Sequence, residues 1–494
     1  MNKLNLITAL LIHLSVNIFS QAGDQRYNQA LDAENNCQYT AAINLYTQAR
    51  ELYQEENNLI KANQCRYNIF HINRLTVEFP YSEDQMLTML RQEFPQASDY
   101  QLHDWMEMNN VERIYFDNQW HYYEDFIKNI YYRNLDLIQA KKVDDPFFDI
   151  LEDIIFKPLT SGYPAQSWKP YVNPVSFLVE GKLNIARAEL PDSGLLKLWI
   201  PLPVQTGSQF NVRIIEISPS KYVNLPVRTD GDMGLAYVEI PLEELTDDLL
   251  VTVKFSFSSY QQQFIINADR VGNYDQQDWL YRKYTQTGDN IVVSQNIRTT
   301  AEQITAGENN PYYQAKKIYQ YIIDNIYYSH VPHLRLAALG FPEAEYVHQN
   351  HFGDCGAQSI YFCSLCRSIG IPARTTGGYQ LVPGVEGCHF WAEFYLPNYG
   401  WIPVDVTVAE SSDWTDKISE SQRDIFQQYF FGNLDPYRMV IQKDVDVVLN
   451  PLPDEEVIFT MAIQYPAAVC STCDQDIGFK VVENWNFSFY PLYH

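Results

Sequence analysis

An α+β architecture is predicted for this 494-residue chain, with a helical N-terminal region, an all-β unit in its middle and a mixed segment behind them. Three observations predict it. Apolar residues recur at helical spacing from Asp24 to Leu75. Five short, alternating, turn-bounded runs lie between Phe177 and Phe257, as strands require. Cys355 then opens an apolar helical run that Gly370 and Pro372 stop, and two strand-like stretches follow, one with His389 and one with Asp405.

Met1-Asn2-Lys3 is a short basic start, Leu4 to Phe19 is apolar with polar interruptions, and Ser20-Gln21-Ala22 offers small residues for cleavage. Residues 1–22 therefore read as a signal peptide that directs the protein to the periplasm or out of the cell, with a retained N-terminal anchor as the runner-up. The stretch is too short and too broken for a stable span, and no later segment approaches the roughly 20 apolar residues a spanning helix needs. No cysteine follows it, which speaks against a lipid anchor.

Residues 23–80 form the helical region, in which Tyr39, Ala42, Tyr46 and Ala49 repeat the spacing of a tetratricopeptide-type helix pair. One such repeat cannot bury its own face, so a structural cap is expected. In 81–160, Met86 to Phe94 and Ser98 to Asn109 read as short helices, the second capped by Ser98. A hairpin follows with Asp117-Asn118 as its turn, then an aromatic helix through Tyr131. This order suggests a winged helix, but the acidic balance opposes DNA binding, and a packing scaffold is the expectation. The proline-containing stretch from Lys142 to Pro174 reads as linker, residues 170–268 as a β-sandwich-like domain, and 270–440 as the core holding Cys355. Runs near Val445–Leu449, Val457–Ile463 and Lys480–Phe489 are expected either at the edge of the core sheet or in a small terminal β unit over 441–494.

The chemistry concentrates in Gly353-Asp354-Cys355-Gly356, His389-Phe390-Trp391-Ala392-Glu393 and Gly400-Trp401-Ile402-Pro403-Val404-Asp405. Cys355 is placed at a helix N-terminus, where unpaired N–H groups favour an anion and a thiolate pKa falls below the roughly 8.5 of a free thiol. His389 and Asp405 lie on two strands joined by the short Pro397-Asn398-Tyr399-Gly400 turn, so they are expected to meet across the ladder. A thiol opened by an imidazole that a carboxylate orients is the equipment of acyl transfer.

With Gly370-Ile371-Pro372-Ala373-Arg374 added to these motifs, the stretch from Phe352 to Thr407 resembles the transglutaminase-like superfamily of papain-type fold, as a bacterial exported multidomain member. The resemblance implies Cys355 as nucleophile, His389 as general base and acid, and Asp405 as orienting carboxylate. It makes Pro311 to Ile326 the first core helix and Tyr328 the candidate oxyanion donor, alongside the Cys355 N–H. Trp391 shares a strand face with His389 and is the candidate cleft wall. Leu198-Trp199-Ile200-Pro201-Leu202-Pro203 and the later Phe431-Gly432-Asn433-Leu434-Asp435 also resemble segments flanking such cores in bacterial members, the second without an assigned role.

A net charge of -26 would repel phosphate backbones and anionic lipid, which argues against nucleic acid or a membrane surface as partner. Of the eight cysteines, Cys363 and Cys366 read as buried helix packing and Cys388 as facing away from His389. Cys37 and Cys65 fall in neighbouring helices as a candidate pair, and Cys470-Ser471-Thr472-Cys473 reads as a local disulfide or two free thiols. His330, His333, His348 and His351 read as solvated loop residues; no cofactor and no metal site is expected. The functional expectation is hydrolysis of peptide amides through a thioester, on a peptide or protein substrate such as a cell-envelope peptide. The alternatives are a transglutaminase with an amine acceptor and a non-catalytic binding protein with an occluded core.

Overall fold

The structure is a computed structural model that describes residues 22–108, 111–141, 169–458, 461–473 and 475–492. The expected signal segment lies outside the described residues, apart from Ala22, and so does most of the expected linker. Among the described residues no helix is long and apolar enough to cross a membrane. The chain divides into two compact units, Met1–Ile130 with Pro332–Leu339, and Tyr131–Val331 with Gly340–His494.

The first unit begins with three helices, residues 22–35, Tyr39–Glu55 and Leu59–Glu78. Ala42, Tyr46, Ala49 and Tyr53 are the buried residues of the second helix, which fits the three-to-four-residue spacing of one helix face. They pack with Ala30, Ala33, Ala62, Cys65 and Ile72. Ser82 then caps Glu83–Glu93 in a capping box with Gln85. The expected hairpin forms between Arg113–Phe116 and Gln119–Tyr122, and Asp117 and Asn118 both take positive φ, as a tight hairpin turn demands. Glu78 holds the start of the His333–Leu339 helix by accepting the N–H groups of Leu334 and Arg335 at 2.9 and 2.8 Å. Cys37 lies in a turn, not a helix, and both it and Cys65 are free thiols, so the pair considered from sequence does not form.

In the second unit two sheets share one hydrophobic core. Tyr171–Ile185 and Leu249–Gln263 pair antiparallel along nearly their whole length, with Gln209–Ser218 on the far side of Leu249–Gln263. Leu195–Leu202 pairs with Gly234–Pro241 in the other sheet. The strands from the C-terminal part of the chain do not form a unit of their own. Ala467–Cys470 joins Leu195–Leu202, Trp485–Leu492 joins Tyr171–Ile185, and Val445–Leu449 and the described part of Val457–Ile463 are not strands. An alternating run records which face is apolar but not which edge it completes, so both sequence alternatives missed this return.

A four-stranded antiparallel sheet, ordered Gly400–Val404, Gly387–Leu396, Ala373–Gln380 and Arg438–Lys443, carries the candidate site. Gly378 illustrates how closely its strands approach, since a Cβ there would lie 1.8 Å from the Met439 carbonyl oxygen. The Cys355–Ser368 helix contacts this sheet through packing such as Phe362 on Phe394, ring centroids 6.2 Å apart. Every residue from Gly356 to Ser368 is buried, so the helix is central and not merely amphipathic. Gly370, with φ +83°, turns the chain out of it.

Candidate active site

Asp354 caps the helix that Cys355 opens, its Oδ1 accepting the Ala357 N–H at 2.9 Å. Phe352 and Gly353 pair in parallel with Tyr327 and Tyr328, which fixes the approach to the helix. Cys355 is half-buried, and the Phe390 backbone N–H, next in chain to His389, hydrogen-bonds its sulfur. Other influences oppose the helix terminus here. Burial pushes the Cys355 thiol well above its usual range, and the Asp354 and Asp405 carboxylates push it further than the Phe390 N–H pulls it back.

His389 Nε2 lies 2.8 Å from Asp405 Oδ2. They do not meet as a cross-strand pair: the ladder ends at Ala392 opposite Val404, and His389 is opposite Gly378 on the other side. Asp405 stands one residue past the ladder, capping the short Val406–Glu410 helix through an Oδ1 contact of 3.1 Å with the Val408 N–H. Since the carboxylate only accepts, Nε2 is the donor, and in a neutral ring Nδ1 then carries the lone pair. Burial alone would raise the Asp405 carboxyl; the His389 ring and the Arg438 guanidinium overcome it and hold the carboxyl well below its usual range.

Arg438 and Asp435 carried no role in the sequence reading. Arg438 Nη1 donates to Asp405 Oδ2 at 2.5 Å, while its Nε and Nη2 donate to Asp435 Oδ2 at 2.9 and 2.8 Å. The only sequence signal was the Asp435 segment behind the core, because a bond spanning the 33 residues from Asp405 to Arg438 leaves no local pattern. Glu410 was also missed. It is buried, accepts Gln358 Nε2 at 2.9 Å and the Tyr328 N–H at 2.7 Å, and so ties the first turns of the Cys355 helix to the Tyr327–Tyr328 strand.

Tyr328 packs against Tyr132, His330 and Trp414, with centroids 4.8, 6.0 and 5.1 Å away. Burial, with Cys355 as the next cause, raises its hydroxyl well above the usual value, so the phenol remains a neutral donor. Trp391 is 1% exposed, which leaves it almost no surface to offer a cleft. Its ring lies 6.0 Å from His389 and 5.0 Å from the Arg438 guanidinium, within the core.

Cys363 and Cys366 are buried along the central helix. Cys388 packs against the sandwich core with Tyr379 and Tyr465. Cys470 and Cys473 are not joined in a disulfide, and a hydrogen bond with Cys473 brings the Cys470 thiol down to about 6. His348 is helical and bonds the Tyr361 hydroxyl at 3.0 Å, so it is not the solvated loop residue expected from sequence.

The transglutaminase-like superfamily matches this chain over residues 298–406. An uncharacterized protein of Haemophilus influenzae is 22% identical over 291 residues, covering 53% of this chain and 77% of its own length. The uncharacterized protein YebA of Bacillus subtilis is 27% identical over 143 residues, 25% of this chain and only 19% of that relative. A solved structure from Cytophaga hutchinsonii, described as a candidate cysteine protease, is 13% identical with a TM-score of 0.39, covering 65% of this chain and 92% of its own.

Proposed function

We propose, on the premise that residues 298–406 carry a transglutaminase-like core, that the chain performs thiol-dependent acyl transfer on peptide amides, with water as the usual acceptor. The observation that carries this reading is the buried 2.8 Å contact of His389 Nε2 with Asp405, which leaves Nδ1 available on the residue next in chain to Phe390, whose N–H bonds the Cys355 sulfur.

In the first step Cys355 Sγ attacks the amide carbonyl carbon and its proton passes to His389 Nδ1. The carbonyl oxygen becomes an oxyanion, which the Cys355 N–H and the Tyr328 hydroxyl stabilise, at on the order of 3 kcal/mol per well-aimed donor. The tetrahedral adduct expels the amine, which takes the proton from His389, and a thioester remains. Water, deprotonated by His389, then attacks the thioester carbon; the acid leaves and the proton returns to the sulfur. An amine in place of water gives transamidation by the same steps.

Burial and the nearby carboxylates push the thiol up, so the reading has Cys355 give up its proton to His389 as it attacks. Loss of the base should cost roughly 10²–10⁴-fold. We place the protein in the periplasm or outside the cell on the strength of residues 1–22, acting on a peptide or protein substrate.

The test is alkylation of Cys355 by iodoacetamide, resolved by peptide mass spectrometry, in wild type and His389→Ala. Slower labelling in the variant is expected; equal rates would sink the catalytic reading in favour of a binding protein. A glutamine peptide offered with and without a primary amine identifies the acceptor, and amine incorporation would replace hydrolase by transglutaminase.

A further inference from the structure

We propose that Asp435 and Arg438 are positioning residues of this same site: Arg438 fixes Asp405, and Asp435 supplies the negative charge that Arg438 would otherwise cancel. The inference rests on the catalytic reading of Cys355, His389 and Asp405.

Arg438 bridges two carboxylates, and the side chains of all three are almost wholly shielded from water, 2% exposed for Arg438 and 0% for Asp405 and Asp435. Its Nη1 binds the same Asp405 oxygen, Oδ2, that His389 Nε2 binds. A guanidinium on that oxygen fixes the carboxylate for the imidazole, and it also opposes the carboxylate's second task, stabilising the imidazolium once the thiol proton has moved. In a water-poor site this cancellation is not screened away.

Asp435 restores the balance. Its Oδ2 takes two Arg438 donors and its Oδ1 takes the Tyr437 N–H at 3.0 Å, so both oxygens act as acceptors, as an ionised carboxylate's do. Two carboxylates and one guanidinium leave one net negative charge while His389 is neutral and none once it is charged. Proton transfer from Cys355 to His389 therefore leaves the buried cluster neutral around the ring. Arg438 is itself held by the sheet, opposite Gln380, and by the Trp391 ring. This gives Asp435 in Phe431-Gly432-Asn433-Leu434-Asp435 a chemical task.

The pH profile of Cys355 alkylation in the full chain tests it, with iodoacetamide as probe and thermal melting as a check on folding. Asp435→Asn keeps the shape and removes the charge; labelling at neutral pH should fall about tenfold, equivalent to one pH unit in the profile. The double variant Asp435→Asn with Arg438→Gln removes one charge of each sign and should label several-fold faster than Asp435→Asn alone, while the lost hold on Asp405 keeps it below wild type.

A merely structural role makes the double variant slower than Asp435→Asn alone, and that result would overturn the proposal, as would a wild-type profile for Asp435→Asn. If Asp435→Asn does not fold, Asp435→Glu retains the charge and should leave the midpoint in place; a midpoint that moves regardless also overturns it. Failure of the underlying reading is seen separately, as His389→Ala labelling at the wild-type rate.

Discussion

Arg374 and Glu393 face each other in register on adjacent antiparallel strands, and their side chains form an ion pair of 2.6 Å with little exposure to water. The Arg374 guanidinium also lies 4.0 Å from the centre of the Trp401 ring. Three separate sequence motifs thus meet in one contact that holds the strand of His389 between its two neighbours. Neither charged residue touches Cys355 or His389 in this arrangement; their work is to set the register that brings His389 opposite Gly378.

Removing one partner should expose that dependence. Glu393→Gln leaves the Arg374 charge nearly buried and uncompensated, and should cost about 3 kcal/mol of unfolding free energy. Arg374→Met combined with Glu393→Gln should regain most of the loss, because no stranded charge remains. Denaturant unfolding of the two variants checks both; a double variant as unstable as the single one would assign the pair's worth to the cation–π contact with Trp401.

Asp354 offers the clearest handle on the thiol. Its carboxylate caps the helix and is, after burial, the largest influence pushing the Cys355 thiol up. Asp354→Asn keeps a capping oxygen and removes the charge. The thiol should then ionise at lower pH, and iodoacetamide labelling of Cys355 at neutral pH should rise several-fold with little change in melting temperature. An unchanged rate would mean that burial alone sets the thiol.

What was legible in the sequence was mostly local. The helix opened by Cys355, its stop at Gly370 and the Asp117-Asn118 hairpin turn are each written in a few adjacent residues. The approach of His389 to Asp405 was legible too, because a short turn leaves the two strands little choice, although Asp405 acts from a helix cap and not from the ladder. Arg438 and Glu410 were not legible: a buried polar group reveals its partner only when the chain has folded back. The thiol's surroundings were illegible for a related reason. A helix start is visible in sequence, but the burial and the two nearby carboxylates that act against it are tertiary facts.

Trp391 should matter through packing more than through contact with substrate. It is 1% exposed, and its ring lies close to both the His389 ring and the Arg438 guanidinium. Trp391→Ala should cost about 3–5 kcal/mol as a core truncation. Trp391→Phe keeps a ring face under Arg438 and should lose far less, which calorimetry of the two variants can compare. Equal losses would remove the guanidinium stack as a contributor.

Glu410 gives a pH signature of its own. Burial raises its carboxyl to about 8, against the pull of the Gln358 amide and the Tyr328 N–H. A carboxyl whose folded value lies above its unfolded one binds more protons when folded. Its contribution to stability is therefore complete below the unfolded value of 4.5 and is lost as pH rises toward about 8. The slope can reach at most about 1.4 kcal/mol per pH unit in that window. Glu410→Gln cannot titrate, so the stability difference between variant and wild type should shift in favour of the variant as pH rises from 5 to 8. Urea unfolding at four pH values in this range checks the sign. A difference that stays constant would mean that Glu410 is ionised throughout, with its two hydrogen bonds enough to hold a buried charge at the base of the Cys355 helix.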